Sequence, residues 1–440
     1  MLKAAFKDWI GDGAVMMDRL LRDELQSLYR PRRWAPRWLN GWLHNRAEKR
    51  KRIPVIVEFH DHEDSYRDGM QQLKTHMNGH KRCRLKHEYA GIRSCAAELT
   101  AEAMKSLIAP DCQSRIKKLH FDRPVRALLD SARAAIRADD LTRFGLTGSG
   151  IRIAVLDTGV YPHPDLTQPT NRIAAFRDFV RGRTVPYDDN GHGTHCAGDA
   201  AGSGRLSDGA YRGTAPGADI VGVKVLDRNG SGALSTIIAG VEWCVANKAA
   251  LNIRVMSLSL GSPAYGPAQD DPLVRAVENA WRAGIVVCAA AGNEGPDRGT
   301  ISSPGTSPLV ITVGAMNDHN TAERTGDSVA PFSSRGPTPD GIVKPDLLVP
   351  GVNIVSLRSP GSSIDRAEPG ARVGSAYFSL SGTSMATPIC AGIAALLLQR
   401  NPALTPDEVK RELLEGAENW GLSPYVQGEG YLDARKALDM

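Results

Sequence analysis

The chain has 440 residues, 42% hydrophobic and 23% charged, an ordinary globular composition with room for a large core and at least one accessory domain. Lys+Arg 54 against Asp+Glu 49 leaves a formal charge of only +5, which over this length excludes a protein held to nucleic acid or membrane by bulk charge. Seven dispersed cysteines, an odd number with no C-x-x-C pair, fit reduced thiols in a cytoplasm better than a disulfide framework.

The basic surplus is concentrated at the start. Residues 1–52 carry 13 Lys/Arg against 6 Asp/Glu, so the remainder is near neutral. Asp8, Asp12, Asp18 and Arg19 interrupt every apolar run in this leader. Neither a signal-peptide core nor a transmembrane segment is therefore expected, and the protein is expected in the cytoplasm. Met16, Met17, Leu20, Leu21, Leu25, Leu28 and Tyr29 recur at helical spacing and predict an amphipathic helix. Trp34, Trp38, Trp42 and the basic run 46–52 follow. The expected reading is a helix packed on its own protein; the other is docking on a partner or an anionic surface.

Residues 53–124 read as a small α+β domain. A strand at 54–59 is followed by a helix at 65–77, a strand at 82–89, a turn at Gly91, a helix at 100–107 and a strand at 115–121. Read with two strands about the Gly91 turn, the order strand, helix, two strands, helix, strand is that of a ferredoxin-like split β-α-β unit. His60-Asp61-His62-Glu63-Asp64, between its first strand and helix, has metal-ligand residue types but no second ligand cluster, so it reads as an acidic, helix-capping loop.

The remaining domain, 125–440, opens with a predicted helix over 125–143 and Gly148-Ser149-Gly150. Apolar strands at 151–156, 220–225, 255–260, 285–290 and 310–313 alternate with helices after His192, over 235–246 and over 272–283. Near-continuous apolar strands separated by helices predict a mostly parallel sheet flanked by helices, an α/β fold with its chemistry at the carboxyl ends of the strands.

Three stretches carry that chemistry. Asp157-Thr158-Gly159 follows an apolar strand, so the carboxylate is held by rigid scaffold. Asn190-Gly191-His192-Gly193-Thr194-His195-Cys196 offers two histidines, His192 and His195, as general base, with glycines that let a peptide backbone approach. Gly382-Thr383-Ser384-Met385-Ala386 runs into a small-residue helix, where a serine sits beside unpaired amides and the positive end of the dipole. Pro388 is expected in the first helical turn. Alone, each stretch has a structural reading as a turn, a core histidine or a serine cap. Together they supply the orienting acid, base and nucleophile of acyl transfer.

Through Val155-Leu156-Asp157-Thr158-Gly159, His192-Gly193-Thr194-His195 and Gly382-Thr383-Ser384-Met385-Ala386, the chain resembles the subtilases, or subtilisin-like serine proteases (peptidase family S8). The resemblance runs from about residue 125 onward and is strongest to the intracellular AprX-type members. It implies a subtilisin-like three-layer fold and a serine endopeptidase whose triad is Asp157, His192 and Ser384, with His192 chosen as the first histidine of its motif. Asn293 would stabilise the oxyanion. Ser259, Leu260 and Gly261 would pair with substrate backbone, Ala289, Ala290, Ala291 and Gly292 would form a wall of the primary specificity pocket, and Ser302 would lie near its floor. No acidic residue is evident there, so apolar P1 side chains are expected over Lys or Arg.

By the same resemblance, Asp165 stands where many relatives bind a structural calcium, while catalysis needs no cofactor. Cys196 resembles the thiol of a mercurial-sensitive subgroup. Residues 53–124 would be a prodomain, an intramolecular inhibitor and folding aid removed by self-cleavage between Phe121 and Arg133. The partners implied are protein and peptide substrates. A catalytically silent peptide-binding pseudoprotease is the alternative, which the intact motifs weigh against. A third reading gives the leader an independent binding role with nucleic acid or membrane.

Overall fold

The computed structural model describes residues 16–28, 46–60, 63–80, 82–107, 115–122, 124–127, 137–319, 324 and 326–440. Trp34, Trp38, Trp42, Asp61 and His62 lie outside them. The chain divides into two units, Met1–Arg123 and Pro124–Met440.

The first unit runs β1 (Met16–Met17), α1 (Arg19–Leu28), β2 (Arg52–Phe59), α2 (Glu63–Asn78), β3 (Arg84–Tyr89), β4 (Ser94–Thr100), α3 (Ala101–Leu107) and β5 (Ile116–Phe121). Its sheet has the order β1-β5-β2-β4-β3, with β2 antiparallel to both β4 and β5. Without β1 this is the split β-α-β arrangement. β1 is added parallel to β5, with Met16 opposite Lys118. Leu21, Leu25 and Leu28 fall on one face of α1 and are buried in a core with Val55, Val57, Phe59, Leu73, Leu99 and Leu119. Asp18 fixes both neighbours: Oδ1 accepts from the Leu21 amide at 2.7 Å as a helix cap, and Oδ2 accepts from the Phe121 amide at 2.9 Å. The leader helix is thus packed on its own protein.

The second unit begins with β6 (Pro124–Ala127), β7 (Arg152–Asp157), β8 (Ile173–Asp178), α4 (His192–Ala201), β9 (Asp219–Lys224), β10 (Ser231–Ala233), α5 (Leu234–Ala246), β11 (Ile253–Leu258) and β12 (Leu260–Pro263). It continues through α6 (Pro272–Arg282), β13 (Val286–Ala290), β14 (Ser302–Ser303), β15 (Ile311–Asn317), β16 (Ser328–Val329) and β17 (Leu347–Pro350). Last come β18 (Ile354–Leu357), β19 (Arg372–Val373), β20 (Tyr377–Leu380), α7 (Thr383–Arg400), β21 (Ala417–Glu418) and β22 (Tyr431–Leu432).

The main sheet has the order β21-β22-β17-β15-β13-β11-β7-β9-β8, parallel from β22 to β8. Its strands are covered on both faces, so β13 is buried at every residue. α7 packs across β11, β13, β15 and β17 and is buried from Thr383 through Leu398. Such a helix is apolar all round because it has no solvent face. Gly392 is required there: a Cβ would come within 2.7 Å of Thr214 Cβ and 3.0 Å of the Ala200 carbonyl.

One predicted element is replaced. Residues 125–143 carry helix-forming Ala, Leu and Arg, yet Pro124–Ala127 is a strand and Arg137–Phe144 a run of 3-10 turns; 128–136 lie outside the described residues. β6 is antiparallel to β10 on one side and to β12 on the other, giving a small sheet of order β10-β6-β12-β14. Two facing edges with unmet backbone donors and acceptors outweigh local helix propensity.

Candidate active site

Asp157 is the last residue of β7, His192 the first of α4 and Ser384 the second of α7. All three are fully buried. His192 Nδ1 lies 2.8 and 3.0 Å from the two carboxylate oxygens of Asp157. An ionised carboxylate only accepts, so the proton sits on Nδ1. The Thr158 amide adds a 2.6 Å bond to Asp157 Oδ1. Burial by itself would lower the His192 pKa, but the Asp157 charge outweighs it and holds the imidazole well above its ordinary value.

His195, the competing base, is committed elsewhere. Its Nδ1 pairs with Asp199 Oδ2 at 3.0 Å, and its Nε2 meets the carbonyls of Ile354 and Phe378 at 3.1 Å each. Both ring nitrogens are spent on structure.

The Ser384 end is shaped by a proline. α7 starts at Thr383, so Pro388 is its sixth residue and not part of the first turn as expected. Its missing N–H deprives the Ser384 carbonyl of the usual i+4 donor. That carbonyl accepts instead from Ser259 Oγ at 2.7 Å and from the Cys196 thiol at 3.5 Å. Ser384 Oγ in turn donates to the Ser259 carbonyl at 3.3 Å. Cys196 Sγ is also 3.8 Å from His192 Nδ1, so it bridges the histidine and serine elements. Burial pushes its thiol up to about 12 despite the nearby His192 charge, which keeps it a neutral packing group and not a nucleophile.

Asn293 is oriented by Thr383. Its Oδ1 accepts from the Thr383 amide and hydroxyl, both at 3.0 Å. Nδ2 is thereby turned away from them; it is buried and has no hydrogen-bond partner. A buried, unmatched donor is costly unless something else accepts from it, and the geometry needed to meet a developing oxyanion is a free donor of this kind.

The remaining predicted residues form one wall system. Ser257 and Leu258 of β11 pair with Cys288 and Ala289 of β13, which brings the Ser259, Leu260, Gly261 stretch beside Ala289, Ala290, Ala291 and Gly292. The Ser302 amide donates to the Ala291 carbonyl at 2.8 Å. Gly292, at φ +113°, faces Ser302: a Cβ there would fall 2.5 Å from Ser302 Oγ and 2.7 Å from Ser334 Oγ. None of these residues is acidic. Along the open edge of β12 lies β6, with Leu260 opposite Ala127 and Gly261 opposite Arg126; on its far side Gly232 is opposite Val125. A strand of peptide thus occupies the slot between β10 and β12.

Asp165 does not fit a calcium ligand. Its Oδ2 accepts from the Tyr377 hydroxyl at 2.9 Å and its Oδ1 from the Leu206 amide at 3.2 Å, while Arg172 donates to its carbonyl at 2.5 Å. A shell of donors and a guanidinium is the opposite of the six to eight oxygen ligands calcium takes. Among the described residues, the one group of three metal-ligating side chains is Asp157, His192 and Cys196. Sequence reasoning missed Thr383, which aims Asn293, and Asp188, which lies four residues before His192; only its place in that glycine-rich loop signalled it.

The subtilase family profile (Peptidase S8) matches residues 148–431. Serine protease AprX of Bacillus subtilis (strain 168) is 52% identical over 430 residues, 96% of either chain. Subtilisin E of the same strain is 33% identical over 358 residues, 80% of this chain and 83% of its own. Among solved structures, fervidolysin from Fervidobacterium pennivorans, a keratinolytic enzyme related to subtilisin, superposes with a TM-score of 0.68 at 23% identity. That match covers 89% of this chain and 61% of the fervidolysin chain, and it bears on the fold alone. With a family match across more than half its length and a relative 52% identical over 96% of it, this chain belongs to the subtilase family and is a serine protease.

Proposed function

We propose that the protein is an endopeptidase made as a self-processing zymogen, with Asp157, His192 and Ser384 as its triad. Ser384 Oγ attacks the scissile carbonyl carbon while His192 Nε2 takes its proton, since Nδ1 is held by Asp157. The oxygen that becomes negative is met by Asn293 Nδ2 and the Ser384 amide in the first turn of α7. His192 then protonates the departing amine, leaving the acyl group on Ser384 until water, deprotonated by the same imidazole, releases it. Asp157 stabilises the imidazolium in both halves.

The observation that carries the zymogen reading is β6. It begins three residues after β5 in sequence and pairs with the edges expected to hold substrate. Ala127, the last residue of β6, is opposite Leu260, the neighbour of Ser259, whose carbonyl accepts from Ser384 Oγ. The bond Leu128–Leu129 is therefore the proposed self-cleavage site, inside the interval 121–133 expected from the sequence; Leu128 itself lies outside the described residues. A leucine at P1 agrees with a pocket that lacks acidic residues, and backbone pairing supplies affinity without reading sequence. Residues 53–124 then act as the inhibitory prodomain. Of the described cysteines, all six are free and five are buried, which supports a reducing, cytoplasmic setting. Among the described residues no helix is long and apolar enough to cross a membrane. Calcium has no part in the proposal.

The test compares wild type, Ser384→Ala and Asn293→Ala by intact mass, N-terminal sequencing and casein cleavage. Wild type should begin at Leu129 and cleave casein. Ser384→Ala should remain full length and inert, and Asn293→Ala should lose about 10²–10³ in kcat with KM little changed. A mature N-terminus outside residues 122–134, or processing that persists in Ser384→Ala, refutes the self-cleavage assignment. If folded wild type cleaves nothing, the silent peptide-binding alternative replaces it.

A further inference from the structure

We propose that Asp188 and Thr158 are positioning residues that clasp the Asp157 turn to the head of the His192 helix and so set the acid–base geometry. This inference rests on the triad reading above. Asp188 is 6% exposed, and its carboxylate accepts five hydrogen bonds. Oδ1 takes the Thr158 hydroxyl at 2.9 Å, the Asn190 amide at 3.1 Å and the Gly191 amide at 2.8 Å. Oδ2 takes the Thr194 amide at 2.9 Å and its hydroxyl at 2.7 Å. One oxygen thus holds the loop entering α4 and the residue after Asp157, and the other holds the first turn of α4 itself. A carboxylate at that end also meets the positive end of the helix dipole.

Thr158 closes the clasp. While donating to Asp188, its Oγ1 accepts from the Gly193 amide at 2.8 Å, and its own amide donates to Asp157 Oδ1. The residues on either side of the catalytic pair are thereby tied to each other: Thr158 adjoins Asp157, and Gly193 adjoins His192. Backbone contacts reinforce the joint. Gly159 bridges Asp188, and a Cβ on Gly193 would fall 2.3 Å from the Gly159 carbonyl and 3.0 Å from Asp157 Cβ. The wholly buried Lys224 ammonium holds the next residue of the loop, donating to Asp189 Oδ1 at 2.8 Å, to the Leu226 carbonyl at 2.9 Å and to the Thr158 carbonyl.

Neither hydroxyl nor carboxylate of the clasp is required by the chemistry, whose Asp157–His192 contact is already direct. Their work is geometric. An Asp157–His192 bond of 2.8 Å aligns an imidazole only if both backbones are fixed, and a displacement near 1 Å at a reacting group costs about 10² in rate.

The test uses the mature enzyme and a peptide anilide with leucine at P1, with kcat normalised to folded protein by circular dichroism. Thr158→Val keeps the volume and removes the hydroxyl; Thr158→Ser keeps the hydroxyl. Asp188→Asn keeps the Oδ1 acceptor but turns a donor toward the Thr194 amide. Thr158→Val and Asp188→Asn should each lower kcat by about 10–10² with KM within about twofold, and Thr158→Ser should recover kcat to within about threefold of wild type. The double variant should lose little more than either single one, because both break one clasp. A Thr158→Val enzyme within threefold of wild-type kcat, a loss confined to KM or folded fraction, or fully additive losses would overturn the proposal. His192→Ala, matured in trans by added wild-type enzyme and expected to lose about 10⁶, tests the triad separately: an active His192→Ala enzyme would indict the triad, whereas an inert one beside an unaffected Thr158→Val enzyme would indict the clasp alone.

Discussion

His192 carries its charge unusually readily for a buried imidazole. Desolvation disfavours the cation, but Asp157 at 2.8 Å more than offsets this, and the pKa rises well above its ordinary value. The base that takes the serine proton must be neutral, so activity grows as pH climbs through that raised value and disappears below it. We expect the acid limb of kcat/KM on a neutral peptide substrate to lie above pH ~6.5, the unperturbed imidazole value. Asp157→Asn removes the charge that raises it, so the acid limb should move down while kcat falls by about 10⁴, the loss that an Asp→Asn change causes in the chymotrypsin-type triad. An unmoved limb would mean that another group sets it. A second residue-scale expectation concerns the carbonyl that Pro388 deprives of a donor. Ser259→Ala should destabilise the fold by about 1–3 kcal/mol in guanidine titration, and adding Pro388→Ala, which restores the helical N–H, should return part of it. These partnerships were not legible in the sequence. Ser259 and Pro388 lie 129 positions apart, and no periodicity links a serine hydroxyl to a carbonyl freed by a distant proline.

Elements formed by local spacing were the legible ones. The Leu21, Leu25, Leu28 face announced α1, and near-continuous apolar runs announced β7, β11 and β13. What covers an apolar face is not written in its period, however, and α1 had two readings until β1 and Asp18 tied it to β5. β6 shows the opposite failure. Its sequence favours a helix, and only the edges of β10 and β12, more than 100 residues downstream, make it a strand. If α1 completes the core of the first unit, Leu25→Ala in a Ser384→Ala background should cost that unit about 2–5 kcal/mol. Hydrogen exchange of the amides in β2, β4 and β5 reads this directly, and unchanged protection there would make α1 an appendage.

At the scale of the whole molecule, the order of the catalytic motifs was readable because each follows a scaffold element: Asp157 ends a strand of the main sheet, and His192 and Ser384 open helices packed against it. The calcium expectation at Asp165 failed to fit for a reason of the same scale. Tyr377 and Leu206, both far from Asp165 in sequence, converge on it and supply the donors that an ion would otherwise replace. A motif can mark a position while the rest of the chain decides what the position is for.

The burial of α7 has a further meaning for a protein that cuts proteins. Because Ser384, the proposed nucleophile, heads a helix buried along its length from Thr383 to Leu398, no opening of that helix leaves the serine in place. The backbone of this helix becomes available to a neighbouring copy only in the same cooperative transition that displaces Ser384. Under the proposed activity, a cut within α7 therefore requires a molecule that has already lost its serine geometry, so attack by a neighbouring copy on an intact molecule is confined to segments outside this helix.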